Sequence, residues 1–393
     1  MKSTVLVVLI TLLLAMPVAV VGEQEIDEAT DQWLQTVDLG PYAVTSDAQA
    51  YEALLYDLAK EEGEVNIYSY SSRVFKFGPT FEEQYPGIKV NGFDIDSPEI
   101  ITKIIAEQGA GNYVADVIYL KDPAAVFHEL YEQGYVFTYI PPELIPVLPV
   151  EFQDPFLVHH MSMDAFVYNT EVYDTCPFDN IWDLTQPEWR SKVIFPDPNI
   201  LSEFVEVLGA IIQNSDAMAA AYEDKFGEPL VLSPDVENAG YEWIKRVLDN
   251  DVIIVRSTND VSNAVGAAGQ EAPPVGMTAF SRLRDREKDP SLMFDVAYDI
   301  TPVMGITTNV VVLIVNRAPH PNAAKLLVSW MLGDSEGGLG YEPYFVAGNI
   351  PARTDVPAPP GTRTLQEMNT WQADSDFVWY EGLKIKEFWL LVQ

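Results

Sequence analysis

The sequence predicts an α/β fold of two lobes, each a mainly parallel sheet flanked by helices, with two strands crossing between them. Three observations predict it. From residue 64 to 137 short apolar strands alternate with amphipathic helices, the pattern of parallel βαβ construction. The alternation resumes after residue 192. Two long extended stretches interrupt it, 158–170 and 294–315, and the first follows a segment, 140–155, that carries five prolines and cannot be a helix interior. The chain has 393 residues, 48% of them hydrophobic, ample for two separate cores.

The elements follow in order. Residues 47–63 place Ala50, Leu54, Leu55 and Leu58 at helical spacing and stop at Gly63. Residues 64–71, EVNIYSYS, read as a strand. A short helix is expected over 79–85, with Pro79 in its first turn and Pro86-Gly87 closing it. A strand over 89–95, a helix over 97–111 ended by Gly109 and Gly111, and the apolar strand 115–122, of the fully buried parallel type, complete the first run. Residues 122–134 read as a further helix. In the second lobe, strands are expected at 192–198, 252–255 and 273–280, and helices at 202–214, 239–250 and 259–269. A helix over 321–334 and an aromatic segment, 376–392, end the chain; the latter reads as a helix docked on a lobe surface. The expected division is 1–22 a signal peptide, 23–45 an acidic leader, 46–158 with 303–393 the first lobe, and 159–302 the second.

Charge bounds the partners. Lys and Arg number 23 against 59 Asp and Glu, a net −36. Nucleic acid and anionic membrane surfaces are poor partners for such a chain, and an anion must be held by local donors rather than by the overall field. Lys2 is the sole charge in residues 1–22, VLVVLITLLL at 5–14 is an apolar core, and Val20-Val21-Gly22 is a small-residue exit before Glu23. That is the pattern of a cleaved export signal, hence a periplasmic or extracellular location. Cys176 is the only cysteine, so no intramolecular disulfide is expected.

A strand that ends in Tyr70-Ser71-Ser72-Arg73 ends in two hydroxyls and a cation. In open α/β sheets ligands bind beyond the carboxyl ends of strands, where hydroxyls, free N–H groups and a guanidinium converge on an oxyanion or polar group.

Several stretches together resemble the extracellular solute-binding proteins of ABC importers, in the branch that includes ferric-iron binders. They are AKEEGEVNIYSYSSR, FEEQYPGIKV, ADVIYLKD with Asp122, the run from Trp182-Asp183-Leu184 to PEWRSKVIFPDP (187–198), NAVGAAGQEAPPVGM, APHPNAAKLLVSWMLGDSEG (318–337) and NIPARTDV. The likeness spans about residues 55 to 356. It implies a type II periplasmic binding protein that closes like a hinged trap, with no cofactor and no catalysis of its own. It also implies a monomer that hands its ligand to a membrane permease.

Iron chemistry departs from the resemblance. In the iron branch a His or Tyr follows Ser-Ser-Arg; here Val74 and Phe75 do. Where an adjacent tyrosine pair is expected, residues 278–282 read Thr-Ala-Phe-Ser-Arg. No metal is therefore expected, and the ligand expected is a small polar or anionic solute such as an organophosphate, sugar or carboxylate. Its contacts are expected from Ser71, Ser72, Arg73 and Asp122 in one lobe and Asn199 and Ser202 in the other. Thr278, Ser281 and Arg282 at the returning strand and Thr308 at the second crossover are expected to add to them, with Phe75 and Phe280 as apolar walls. Arg284 reads with Arg282, Asp285 and Glu287 as a solvated charge cluster. His159 and His160 should face opposite sides of one strand and so cannot share a metal. A ferric binder with unusual ligands is the rival reading, and a secreted enzyme on the same scaffold the rival of another class. No Gly-x-Ser-x-Gly elbow, HExxH or phosphate loop supports the enzyme.

Overall fold

The computed structural model of the protein describes residues 26–40, 48–201 and 203–393. The expected signal peptide, 1–22, lies outside the described residues. In chain order the strands are β1 (Glu64–Ser69), β2 (Lys89–Asp94), β3 (Val117–Lys121), β4 (Val136–Phe137), β5 (Leu157–Asn169), β6 (Val193–Pro196), β7 (Ile253–Val255), β8 (Val275–Ala279), β9 (Phe294–Val296), β10 (Gly305–Val315), β11 (Asn349–Pro351) and β12 (Thr370–Gln372). They run across the molecule in the order β2-β1-β3-β10-β5-β8-β6-β7. Strands β2, β1 and β3 are parallel at one end, and β8, β6 and β7 are parallel at the other. Between them β10 and β5 pair antiparallel, from Gly305 opposite Ala165 to Val312 opposite Leu157.

That central pair carries the chain between two cores. Leu157 and Val158 of β5 lie in a first core with β1, β3 and Val310–Val315; Met163–Val167 lie in a second core with β6, β8 and Ile306. Each long strand thus serves both halves. The expected second crossover, 294–315, divides into the short β9 and the long β10.

Helices on the two faces cover the sheet. Val74–Gln84 begins five residues before the expected start and holds Pro79 in its interior. Burial explains the difference. Val74, Phe77 and Phe81 all face the first core, so the apolar stripe begins directly after Arg73. Ser71-Ser72-Arg73 is therefore the lead-in of a helix, with no intervening loop.

Both chain ends differ from the expected division. Within the segment read as an acidic leader, Glu28–Thr36 forms a helix capped by Asp27, whose Leu34 lies fully buried in the first core together with Leu39. The segment 303–393 was expected in the first lobe, yet Ile385 and Trp389 of the helix Ser375–Val392 lie in the second core. There Trp389 meets Phe204 edge-on at 6.1 Å and Phe388 meets Tyr241 at 4.7 Å. The other end of that helix touches the first lobe, where His128 stacks on Trp379 at 4.8 Å and its Nε2 lies 3.1 Å from Asp376. Apolar side chains decide where each end docks, Leu34 and Leu39 at one and Trp389, Phe388 and Ile385 at the other. Among the described residues no helix is long and apolar enough to cross a membrane.

Candidate functional site

The carboxyl ends of strands from both halves open on one cavity of about 700 Å³. Tyr70, Ser71, Ser72 and Arg73 follow β1, Asp94 ends β2, and Lys121 ends β3. From the other half come Thr258 beyond β7, Ala279 at the end of β8, and Ser281, Arg282, Arg284, Glu287 and Lys288 after it. Ser162 and Met163 of β5 form the floor, and Asn349 of β11 closes one side. Gly348 (φ +84°) makes that closure possible: a Cβ there would lie 2.6 Å from Phe280 Cβ and 2.8 Å from the Ser281 nitrogen.

Six cations, Arg73, Lys76, Lys121, Arg282, Arg284 and Lys288, line this cavity against three carboxylates, Asp94, Glu203 and Glu287. They are a quarter of the 23 Lys and Arg in a chain of net charge −36. Their states differ. Lys121 and Asp164 are both buried and form an ion pair at 3.1 Å. Burial pushes the Lys121 ammonium towards neutrality, but Asp164, Glu203 and Glu206 outweigh it and hold its pKa above the usual lysine value. Arg282 pairs with Asp285 at 3.4 Å. Arg73 lies 5.3 Å above the Tyr344 ring and donates from Nη1 to Ser71 Oγ at 3.4 Å. Arg284 buries its Nη1 with no acceptor, and burial followed by the charge of Arg73 pushes its pKa down to about 10. The Ser162 hydroxyl is likewise buried without a partner.

Beneath Arg73 lies a buried cluster of Tyr119, Tyr341, Tyr344, His159 and His160. The two histidines do not face opposite ways. The register of β5 against β10 shifts between Val310 and Val311, which pair with His160 and Val158, so His159 is an unpaired bulge residue. Their Nδ1 atoms come within 2.8 Å, the Tyr119 hydroxyl is 3.3 Å from each, and His159 Nε2 reaches the Met331 carbonyl at 2.8 Å. Burial holds both imidazoles neutral, with His159 lowered to about 3. Among the described residues no three His, Cys, Asp or Glu side chains gather as a metal site.

Of the residues expected at the site, Ser71, Ser72, Arg73, Ser281 and Arg282 line the cavity. Ser202 lies outside the described residues. Asn199 is exposed and folds back on Asp197, with its backbone N–H 2.9 Å and its side-chain amide 3.1 Å from Oδ1. Thr278 is buried and donates to the Thr258 carbonyl at 2.6 Å. Phe280 is buried in the second core and Phe75 is 58% exposed, so neither walls the cavity. Asp122 caps its helix through the Ala125 N–H at 3.1 Å and lines a separate cavity of about 200 Å³ with Glu203, Glu206 and Lys386. Thr308 is buried and lies with Glu206 in the lining of a further small cavity beside it. Sequence reasoning missed Lys121 and Arg284. Lys121 carried a usable signal, a cation closing a buried apolar strand, the same signal that pointed to Arg73.

With the geometry in place, residues 66–337 match the family described as bacterial extracellular solute-binding protein. The chain belongs to that family. Iron-bound HitA from Pseudomonas aeruginosa is similar at 15% identity, covering 83% of this solute-binding protein and 99% of HitA, with a TM-score of 0.65. The Trichodesmium IdiA (FutA) structure with iron and citrate is 17% identical over 84% of this chain and 99% of that one, TM-score 0.59. AfuA from Actinobacillus pleuropneumoniae with fructose-6-phosphate is 21% identical over 84% and 98%, TM-score 0.58. These likenesses establish the two-lobed solute-binding fold. A comparison with curated protein sequences finds no match.

Carboxylates from both lobes, Asp122 and Glu206, also meet beside the hinge of this solute-binding protein, and its stability is expected to depend on pH. Burial, then the neighbouring Asp122, push the Glu206 carboxyl up to about 8, and burial pushes Asp122 to about 6. An unfolded glutamate releases its proton near 4.3. Between those values the folded chain holds the extra proton, so stability falls as pH rises from about 4.3 to about 8. Glu206→Gln is expected to flatten that decline and to raise the Tm at the alkaline end. A melting series across the window checks it, and an unchanged slope refutes it.

Proposed function

We propose that this chain is the substrate-binding component of an ABC importer. In this reading it is exported by a cleaved N-terminal signal, takes a small anionic organic solute between its lobes, and delivers it to a membrane permease. It performs no chemistry; closure is the event, driven by the ligand's better contacts with the shut form. The observation that carries the reading is the set of six cations around one inter-lobe cavity in an otherwise strongly acidic protein. Ser71, Ser72, Arg73, Ser281 and Arg282 are the proposed contacts from the sequence, joined by Lys121, Arg284, Ser162 and Asn349.

Relatives bind different cargo: HitA and IdiA hold iron, AfuA fructose-6-phosphate. The lining here favours the organic anion. Among the described residues Tyr70 is the only phenol in it, and a bare ferric ion would face six positive charges against three carboxylates. A thermal-shift screen of neutral sugars, sugar phosphates, dicarboxylates and ferric salts tests the reading. A bound solute at a hundred times its Kd stabilises by about 2.7 kcal/mol. Sugar phosphates or dicarboxylates are expected to shift the Tm and neutral sugars are not. A charge-transfer band with ferric citrate, with no shift from any organic anion, would turn the assignment to iron.

A further inference from the structure

We infer that the cleft holds a doubly charged, tetrahedral oxyanion group, of the phosphate-ester type, between Arg73 of one lobe and Arg284 of the other, and that this group bonds the lobes shut. The inference rests on the anionic-solute reading above and sharpens it.

Three of the cavity's six cations already have ion-pair partners. Lys121 has Asp164 at 3.1 Å, and Arg282 and Lys288 share Asp285 at 3.4 and 3.7 Å. Lys76 is exposed to solvent, and among the described residues neither Arg73 nor Arg284 has a carboxylate at ion-pair distance: Arg73 has a hydroxyl and an aromatic face, and Arg284 has a buried Nη1 with nothing to donate to. A buried guanidinium nitrogen without an acceptor costs free energy that an oxyanion in the cavity would recover. The two come from opposite sides of the seam. Arg73 precedes the helix Val74–Gln84 of the first core, and Arg284 ends the turn Phe280–Arg284 that leaves β8 of the second. Both line the same cavity.

Two uncompensated like charges across a hinge repel, so they favour separation of the lobes when the cleft is empty. A dianion reverses the sign. Each guanidinium offers a planar fork to two oxygens, and a tetrahedral oxyanion has oxygens enough for both. A monocarboxylate balances one guanidinium and leaves the other unmatched. The buried Ser162 hydroxyl beside them remains free to donate to a further oxygen.

The test uses the full chain and three anions in calorimetric titrations. Sulfate is doubly charged throughout, acetate carries at most one charge, and methyl phosphate loses its second proton at about pH 6. We expect methyl phosphate to bind about tenfold more tightly at pH 8 than at pH 5, sulfate to bind equally at both, and acetate to bind weakly. Sulfate thereby controls for titration of Asp94, Glu203 and Glu287, which also line the cleft, and of Glu206 and Asp122 beside it. Arg284→Met is expected to lower methyl phosphate affinity about 10- to 100-fold, to erase its pH dependence, and to abolish ligand-induced compaction in solution scattering. Without ligand the same variant should resist urea at least as well as the parent, which separates lost binding from lost folding. Equal affinity for all three anions, or an unaltered methyl phosphate affinity in Arg284→Met, overturns the clamp while leaving the anionic-solute reading standing. No binding of any of the three overturns both.

Discussion

Replacing Lys121 with methionine is expected to destabilise the protein by about 3–5 kcal/mol, the cost of breaking a buried ion pair by removing one partner. Lys121 ends β3 and Asp164 lies on β5, so their 3.1 Å contact ties a first-lobe strand to the strand that crosses the hinge. Methionine fills similar space but leaves the Asp164 carboxylate buried without its cation. The companion variant separates pairing from packing. Lys121→Met with Asp164→Leu removes both charges and should recover most of the loss, because two apolar groups of similar volume often replace a buried pair at little cost. Urea denaturation of the single and double variants measures both effects. A loss below about 1 kcal/mol in the single variant would show that water reaches Asp164 and that the pair is no structural tie.

Arg73→Ala is expected to weaken an anionic solute by about 1.5–3 kcal/mol, the range for hydrogen bonds to charged groups. Global stability should change far less. The guanidinium is half-buried and holds only the Ser71 hydroxyl and the Tyr344 face, so its loss strands no buried carboxylate. Lysine is expected to restore little, since an ammonium keeps the charge but not the planar fork. Calorimetry with the best ligand from the thermal screen gives the affinity. Unchanged binding in Arg73→Ala would remove this residue from the site and, with it, the reason for reading the end of β1 as a ligand contact.

Arg73 and Arg284 differ in how visible they were. A cation directly after an apolar strand announces itself, because strand ends face the ligand in this class of sheet. Arg284 sits in RLRDREKD, where three carboxylates, Asp285, Glu287 and Asp289, stand among four cations. Only the folded turn shows that the ion pairs of Asp285 go to Arg282 and Lys288 and that Arg284 makes none among the described residues. The histidine pair failed for a related reason. Alternation along a strand assumes an unbroken register, and a single bulge at His159 turns both rings to one side. Asn199 and Thr278 lie near the expected places, but local hydrogen bonds to Asp197 and to the Thr258 carbonyl consume their polar groups. The aromatic end of the chain was legible as a docking helix. Its address in the second core was not, since Trp389 and Ile385 meet residues more than a hundred positions away.

Short-range pattern by itself determined the alternating elements, the two long crossing strands and the hydroxyl-rich end of β1, because periodicity and turn chemistry act over a few residues. Which charges remain unpaired, which side a bulged strand presents and which core takes the final helix were decided by tertiary contact alone. Pairing and desolvation depend on neighbours brought together from distant parts of the chain, and no local reading of residues supplies those distances.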